Sequence, residues 1–378
     1  MRRVSTKLLQ SNMTLARNIH NSDGRILLGV GTNLSERYIR RLQELNIHSV
    51  YIQEEKLGPV DIPEIVSEKK RAQAVKTIKE SFQNLENNRQ INTAQIKNTV
   101  NTLVDDIMSS RDVLIGLAEI NAFDDITFQH SVNVCVLALI IGLTLSYNEM
   151  QLQELGVGAL LHDIGKTDID HSILNKKGKL NDEEFTIMRN HPSYGFETLR
   201  HYSDISLLSA HIAFQHHERW DGKGYPRKLS LNDIHEYARV VAVADVYDAL
   251  MSDRPYHEPF TFEQANEILK NMSGTHLQPR MVDALIANVA VYPPGSIVEL
   301  NTSTLALVLE VKKDSPSRPR VRIIYDLKTM DLGSFHEIDL NLFSTIHIIR
   351  SLSEIEIQQL LKQNAFEELH PSITKDLL

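Results

Sequence analysis

The sequence predicts a mainly α-helical protein, with an all-helical core between a small N-terminal α/β module and a small C-terminal β module. Residues 111–292 carry apolar positions at the three- and four-residue spacing of buried helices. Residues 1–60 combine two short strand-like runs with one amphipathic helix. After Pro293-Pro294-Gly295 the pattern changes to short alternating strands between turn-rich loops, which is typical of a small β module over residues 293–350.

Composition limits the classes of function. A chain of 378 residues with 42 % hydrophobic content can bury a real core, and its net charge of −9 argues against a DNA- or RNA-binding surface. The single cysteine, Cys135, excludes an intrachain disulfide and favours a reducing compartment. The most apolar run, Val134–Leu145, has 12 residues, fewer than the ~20 that cross a bilayer. We therefore expect a cytoplasmic protein without a membrane span.

The modules around the core show no catalytic pattern. In the N-terminal module, Arg25–Gly31 and Asn46–Ile52 are predicted strands, and Thr32 or Asn33 can cap the helix between them. Residues 61–110 are predicted to be a helical connector with a helix junction in the asparagine-rich patch at 84–92. Residues 351–378 are predicted to close the chain with a polar helix. A structural or partner-binding role is the expectation for each of these segments.

The chemistry is concentrated around Leu160–Lys166. His162 stands beside Asp163, and Lys166 follows three positions later, so an imidazole, a carboxylate and an ammonium group meet at one helix end. This set suits a metal ion with a phosphate group near it. Five further residues have side chains that can complete such a site: His130, His191, His216, His217 and Asp245.

His130 and the pair His216-His217 each raise a question about their role as metal ligands. A lone histidine at the start of an apolar helix, as at His130, is usually a hydrogen-bonded core residue, but here the other ligand types supply partners. Adjacent side chains on a regular helix point about 100° apart. His216 and His217 therefore fit one centre best if a helix ends there, and the glycines at 222 and 224 support that ending.

Two aspartates lie in an otherwise apolar predicted helix, Tyr237–Leu250. A buried, unpaired carboxylate is costly, so Asp245 calls for a metal ion or a cation. The same reasoning applies less strongly to Asp248, and Arg254 is a plausible partner for either aspartate. A metal ligand is the preferred interpretation of Asp245.

The turn Asp221–Pro226 is rigid and rich in glycine. It is either a plain loop between helices or a lip that faces a substrate, with Tyr225 able to stack on a base. The lysine-rich loop 176–179 could likewise attract a nucleotide, although a solvated loop accounts for most of its lysines.

Together these motifs resemble one family. The segments are His130, Leu160–Lys166, His191–Gly195, His216–Pro226, Ala238–Asp245 and Ser252–Tyr256. They are similar to the HD-GYP family, bacterial cyclic di-GMP phosphodiesterases within the HD superfamily of metal-dependent phosphohydrolases. The resemblance covers about residues 120–290 and implies an HD-type helical core over 111–292.

The resemblance implies a site with two divalent ions, in which Asp163 bridges both and is catalytic. The implied ligands are His130, His162, Asp163 and Asp245 for one ion and His191, His216 and His217 for the other. Imidazoles with carboxylates suit iron or manganese, while zinc stays open. Two such ions lower the pKa of a bridging water and orient the phosphoryl oxygens for attack.

The resemblance also implies which residues meet the substrate. Lys166 would offset the charge of a phosphate oxygen during catalysis, and Arg254 would hold the second phosphate or a guanine. The implied lip consists of Gly222, Gly224, Tyr225 and Pro226.

Three positions depart from the family pattern. Some members bind a third metal through a glutamate, but the matching residue here is Ile126, so two metals are expected. His257 replaces a longer cationic side chain, which weakens the expectation for substrate affinity rather than for the chemistry. Gln278 replaces an aspartate and is interpreted as structural.

Three classes of function stay open. The leading one is hydrolysis of cyclic di-GMP to pGpG, with further hydrolysis to GMP undecided. The second is hydrolysis of another nucleotide, such as a different cyclic dinucleotide, and the third is a non-catalytic cyclic di-GMP sensor or an adaptor for other signalling proteins. Residues 1–60 and 296–350 are candidate docking surfaces for protein partners, and homodimerisation stays open.

Overall fold

A computed structural model provides the structure of the protein. It describes residues 1–378 with these exceptions: 22, 24, 46, 48, 54–59, 61–63, 111–113, 117–125, 177, 253–259, 330, 333–334, 354, 358 and 360–378. The described residues form a helical body with short strands near both ends of the chain. The predicted fold class, mainly α with an α/β module before the core and a β module after it, is confirmed.

The N-terminal module is built from two antiparallel strand pairs and one helix. Its elements are β1 (Arg2–Ser5), β2 (Ile19–His20), β3 (Ile26–Leu28), α1 (Glu36–Glu44) and β4 (Ser49–Ile52). Strand β1 pairs with β4, and β2 pairs with β3. The cap of α1 is Ser35, whose hydroxyl accepts the N–H of Tyr38, so the predicted cap at Thr32 or Asn33 was wrong. Ser35 stands immediately before the first helical residue, where a side chain can reach that N–H group.

Two helices connect this module to the core. They are α2 (Glu68–Glu86) and α3 (Thr93–Ser109), and the asparagine-rich junction between them lies where it was predicted. Asn92 caps α3 by accepting the N–H of Gln95. The first turn of α2 contacts the N-terminal module, because the side-chain amide of Asn18 donates to Glu68 at 3.2 Å.

The core consists of nine helices among the described residues. They are α4 (Ile126–Thr144), α5 (Glu149–Leu160), α6 (His171–Leu174), α7 (Asp182–Met188), α8 (His191–Leu199), α9 (Leu207–Gln215), α10 (Glu236–Met251), α11 (Phe262–Met272) and α12 (Pro279–Ile286). A short 3₁₀ turn, Ile164–Asp168, follows α5. One continuous apolar cluster joins α2 and α3 to this body.

Helix α4 runs through the middle of the core. Within the described residues, its window Thr127–Thr144 is long and apolar enough to cross a membrane, and 67 % of that window is buried inside the protein. A single such helix is weak evidence for a span, because the central helix of a globular core has the same composition. Its apolar stretch is longer than the run of 12 residues considered in the sequence.

The C-terminal module is a six-stranded antiparallel sheet. Its strands are β5 (Ile297–Leu300), β6 (Thr304–Glu310), β7 (Arg320–Asp326), β8 (Asp331–Leu332), β9 (Glu337–Asp339) and β10 (Ile348–Ser351). The order is β10-β5-β6-β7-β8, and β9 also pairs with β7. Apolar clusters cover both faces of the sheet. The predicted C-terminal helix lies almost wholly outside the described residues.

The fold brings several helix ends to one place. His130 lies near the start of α4, and Asp163 follows the end of α5. Helix α8 begins at His191, while α9 ends at Gln215 with His216 as its C-cap. The predicted helix end at the His216-His217 pair is therefore confirmed.

Candidate metal centre

The seven predicted ligand residues lie together in the core. They form two groups, within each of which one ligand atom per residue lies within 4.8 Å of the others. The first group is His130, His162 and Asp245, and the second is Asp163, His191, His216 and His217. Imidazole nitrogens and carboxylate oxygens are the donors that iron, manganese and zinc accept, so the donor set fits divalent ions.

Asp163 lies between the two groups and is 2 % exposed. Its Oδ1 atom is 3.4 Å from Nε2 of His191 and 3.8 Å from Nε2 of His216. Its Oδ2 atom is 3.4 Å from Nε2 of His162 and 4.0 Å from Nε2 of His130. One carboxylate therefore presents a different oxygen to each group, which is the geometry that a bridging ligand needs.

Backbone carbonyls orient three of the histidines. The pairs are His162 Nδ1 with the carbonyl of Ala159 at 2.8 Å, His191 Nδ1 with that of Met188 at 2.7 Å, and His216 Nδ1 with that of Ala213 at 2.9 Å. Because a carbonyl oxygen only accepts, each Nδ1 carries the proton and each Nε2 keeps its lone pair. The lone pairs face Asp163, as ligand nitrogens should.

Burial keeps the histidines of the second group neutral. It lowers the pKa of His191 to about 4, and the neighbouring His217 and Lys166 act in the same direction. Burial likewise lowers the pKa of His216 well below its usual range and lowers that of His217. A neutral imidazole is the form that binds a metal ion, so these residues are ready to act as ligands at neutral pH.

His130 has the opposite electrostatic environment. Burial alone would lower its pKa, but hydrogen bonds to Asp245 and Asp248 raise it to about 10. Its Nε2 atom lies 3.2 Å from Asp245, and its Nδ1 atom lies 2.7 Å from Asp248. Two carboxylates thus make this position favourable for positive charge, which a divalent cation can supply.

The carboxylates themselves stay ionised. Burial would raise the pKa of Asp163, but Lys166 and the surrounding imidazoles outweigh it and hold this pKa well below its usual range. For Asp245, burial again opposes ionisation, and the hydrogen bond with His130 lowers the pKa overall. The centre therefore offers two anionic ligands as well as its imidazoles.

Lys166 and Tyr225 border the centre. The ammonium of Lys166 donates to Oδ2 of Asp163 at 2.5 Å. The ring of Tyr225 stacks on that of His217 with centroids 4.7 Å apart, and the guanidinium of Arg189 lies 4.7 Å from the Tyr225 centroid. The predicted aromatic lip is thus packed directly against a predicted ligand.

The loop that carries Tyr225 is held in shape by buried polar contacts. Glu218 is 3 % exposed, and its two carboxylate oxygens accept the N–H groups of Arg227 and Leu229 at 2.7 and 3.0 Å. A Cβ atom at Gly224 would lie 2.4–2.5 Å from the backbone of Arg219, Glu218 and His217. Gly222 has φ +75°, a conformation that favours glycine. Pro226 follows Tyr225 on the same loop.

Some predicted positions fall elsewhere. Arg254 and His257 lie outside the described residues, so their predicted roles stay predictions. Ile126 is the first residue of α4, and Gln278 precedes the first residue of α12. Asp248 contacts Nδ1 of His130, whereas Nε2 of the same ring faces the other ligands. Asp248 therefore orients a ligand.

Sequence reasoning missed several supporting residues, among them Arg71. Arg71 is 1 % exposed, and it is spaced as i, i+4, i+7 and i+11 with Val75, Ile78 and Phe82 on the buried face of α2. That spacing was the signal that could have found it, because an arginine on an apolar face must have a buried partner.

Two family models and a solved structure match this chain. The model of the HD domain matches residues 103–281, and that of the KOW domain associated with the HD domain matches residues 297–360. Among solved structures, the HDG“Y”P protein Bd1817 of Bdellovibrio bacteriovorus aligns with a TM-score of 0.50 at 19 % identity, over 75 % of this chain and 97 % of that chain. At this identity the likeness shows the fold alone.

Curated relatives match at higher identity. A cyclic di-GMP phosphodiesterase of Pseudomonas aeruginosa is 35 % identical over 66 % of this chain and 62 % of the relative. One of Thermotoga maritima is 42 % identical over 42 % of this chain and 44 % of the relative. A 3'3'-cGAMP-specific phosphodiesterase of Vibrio cholerae is 45 % identical over 33 % of this chain and 24 % of the relative.

The chain thus spans less than two thirds of the length of each of these relatives. The HD match covers all seven candidate ligands and the loop of Tyr225. Residues 103–281 of this chain therefore form an HD domain and belong to the HD-GYP family.

Proposed function

We propose that this chain is a metal-dependent phosphodiesterase that hydrolyses cyclic di-GMP. The observation that carries the proposal is the position of Asp163 between two ligand groups, with Oδ1 facing one group and Oδ2 facing the other. The names of the relatives from Pseudomonas aeruginosa and Thermotoga maritima support this choice of substrate.

The ligand assignment follows the two groups. His130, His162, Asp163 and Asp245 would hold one divalent ion, and Asp163, His191, His216 and His217 would hold the other, with iron or manganese as the metal. Such ions, when bound, activate a water molecule as the nucleophile and polarise the phosphoryl group.

The remaining residues of the site act on the substrate. Lys166 already lies against Asp163, so its ammonium can donate to a phosphate oxygen that approaches the same point. Tyr225 is proposed to contact the substrate base from its place beside His217, and Gly222 and Gly224 allow the tight loop that carries it. Arg254 is proposed, from its position in the sequence motif, to bind the second phosphate or a guanine.

The test is turnover of cyclic di-GMP by protein loaded with iron or manganese, followed by chromatography. Asp163→Ala removes the proposed bridge, and Asp283→Ala removes an exposed aspartate of α12 as a matched control. We expect linear product from the wild type and the control only, and the ratio of pGpG to GMP shows whether both bonds are cut. Turnover by Asp163→Ala at the wild-type rate would refute the assignment.

A second substrate deserves a direct comparison. The relative from Vibrio cholerae that is named as 3'3'-cGAMP-specific is 45 % identical over 127 residues. A panel of cyclic di-GMP, 3'3'-cGAMP and cyclic di-AMP at equal concentrations separates the candidates by kcat/KM. Binding of cyclic di-GMP without turnover would instead support a sensor or adaptor.

The flanking modules suggest how the enzyme is used. We propose a cytoplasmic location, because the only cysteine, Cys135, is buried and unavailable for a disulfide. Protein partners are proposed to dock on the N-terminal module or on the C-terminal sheet, and a homodimer is one such assembly. Size-exclusion chromatography with light scattering tests the dimer.

A further inference from the structure

A buried arginine of the connector points into the core beside the metal centre. Arg71 lies in the first turn of α2, outside the segment that matches the HD domain, and is 1 % exposed. A buried guanidinium is costly unless hydrogen-bond acceptors surround it. Its NH1 group donates to Oδ1 of Asn133 on α4 at 2.9 Å, and both side chains are buried.

The contact continues to a metal ligand. The Nδ2 amide of Asn133 donates to Oδ1 of Asp248 at 2.8 Å, and Oδ2 of Asp248 lies 2.7 Å from Nδ1 of His130. Three hydrogen bonds therefore join the connector helix to the proposed ligand. We name Arg71, Asn133, Asp248 and His130 the relay.

Each bond of the relay has a defined direction. A guanidinium only donates, so Arg71 requires the amide oxygen of Asn133 to face it and turns the amide NH₂ towards Asp248. The carboxylate of Asp248 accepts that bond with Oδ1. Its other oxygen, Oδ2, accepts the bond from Nδ1–H of His130. With Nδ1–H held by Asp248, Nε2 is the nitrogen at which a metal ion would replace the second proton, and it faces Asp245 at 3.2 Å.

We propose that Arg71 is a positioning residue that, through Asn133 and Asp248, fixes the ring orientation and tautomer of His130 for metal binding. The proposal rests on the proposed two-metal centre. It assigns part of the metal affinity to the connector helix, which lies outside the HD domain match. Outer partners of metal-binding histidines contribute about 10- to 100-fold in metal affinity or activity.

The experiment is a manganese titration of the full-length chain, with free manganese measured by electron paramagnetic resonance. The variants are Arg71→Met, Asn133→Leu and the double variant, and circular dichroism checks their folding. Ser81→Ala is the matched control, because Ser81 is also buried in α2 and, among the described residues, its hydroxyl bonds within the helix, to the carbonyl of Thr77 at 2.8 Å.

We expect two manganese ions per wild-type chain and per Ser81→Ala chain. Each relay variant should bind one of the two ions about tenfold more weakly. The double variant should be no weaker than the weaker single variant, because both changes break the same chain of bonds. Arg71→Lys keeps a cation that can only donate hydrogen bonds. It should therefore retain most of the manganese affinity that Arg71→Met loses.

Contrary outcomes are distinct. Unchanged titrations of Arg71→Met and Asn133→Leu, or effects that add in the double variant, would overturn the relay. If Arg71→Met does not fold, Asn133→Leu tests the same link with the arginine retained. A wild type that binds no manganese, iron or zinc would instead reject the metal centre of the proposed function.

Discussion

Lys166 places a cation against the central carboxylate, donating to Oδ2 of Asp163 at 2.5 Å. Its side chain is 24 % exposed, so it borders both the ligands and the solvent from which a substrate arrives. Lys166 is not a metal ligand, because an ammonium has no lone pair. Its contribution is therefore separable from metal binding.

For Lys166→Met we expect retained metal content and a kcat/KM lowered by roughly 10²- to 10³-fold, the range for the loss of one charge-stabilising donor. Elemental analysis and steady-state kinetics with cyclic di-GMP measure the two effects. Lys270→Met removes an exposed lysine in the last turn of α11 and should leave both unchanged. Loss of metal from Lys166→Met would contradict this separation of roles.

At the scale of elements, the centre depends on the close approach of the 3₁₀ turn Ile164–Asp168 to helix α8. A Cβ atom at Gly165 would lie 2.1 Å from the carbonyl oxygen of His191 and 2.3 Å from the backbone nitrogen of Gly195. Backbone atoms cannot rotate away as a side chain can. Any side chain at Gly165 therefore has to separate Asp163 from His191.

We expect Gly165→Ala to lower the free energy of unfolding by about 3 kcal/mol or more, at the upper end of the usual cost of overpacking. It should also weaken metal binding, because the two ligands move apart. Gly29→Ala is the matched control, since among the described residues its Cβ atom would come nearest to Oδ1 of Asn18, at an ordinary contact distance of 3.9 Å. Equal stabilities of the two variants in urea denaturation would disprove the packing argument.

Most helices of the core could be predicted from spacing alone, whereas several strands could not. The junction between α2 and α3 and the end of α9 at His216 were predicted from local signals, namely asparagines and adjacent ligands. Strands β1 and β10 were missed. Each pairs with a strand about 50 residues away, β1 with β4 and β10 with β5, and a short strand has little signal apart from its partner.

At the scale of the whole molecule, metal ions should stabilise the fold. The ligands come from α4, the turn after α5, α8, the end of α9 and α10, so a bound ion joins elements that are distant in sequence. An ion that binds only the folded state stabilises it by about 2.7 kcal/mol per site at 100 times its Kd.

We expect manganese at that concentration to raise the Tm of the helical body by about 5–10 °C for each site, relative to protein in EDTA. Differential scanning calorimetry measures the shift. Asp163→Ala should show little or no shift, because it removes the ligand that both sites share. A wild-type Tm that is the same in manganese and in EDTA would count against both sites.

The class of fold, the seven candidate ligands and the loop of Tyr225 could all be predicted from the order of the amino acids. These features are local: helical spacing follows from backbone geometry, and metal chemistry restricts the residue types that can serve as ligands. Two features came only from the packing of the helices: which oxygen of Asp163 faces which ligand group, and the link from Arg71 through Asn133 and Asp248 to His130. Arg71 and Asn133 are 62 residues apart, and Asn133 and Asp248 are 115 apart. Such contacts depend on how helices pack, which spacing along one helix does not determine.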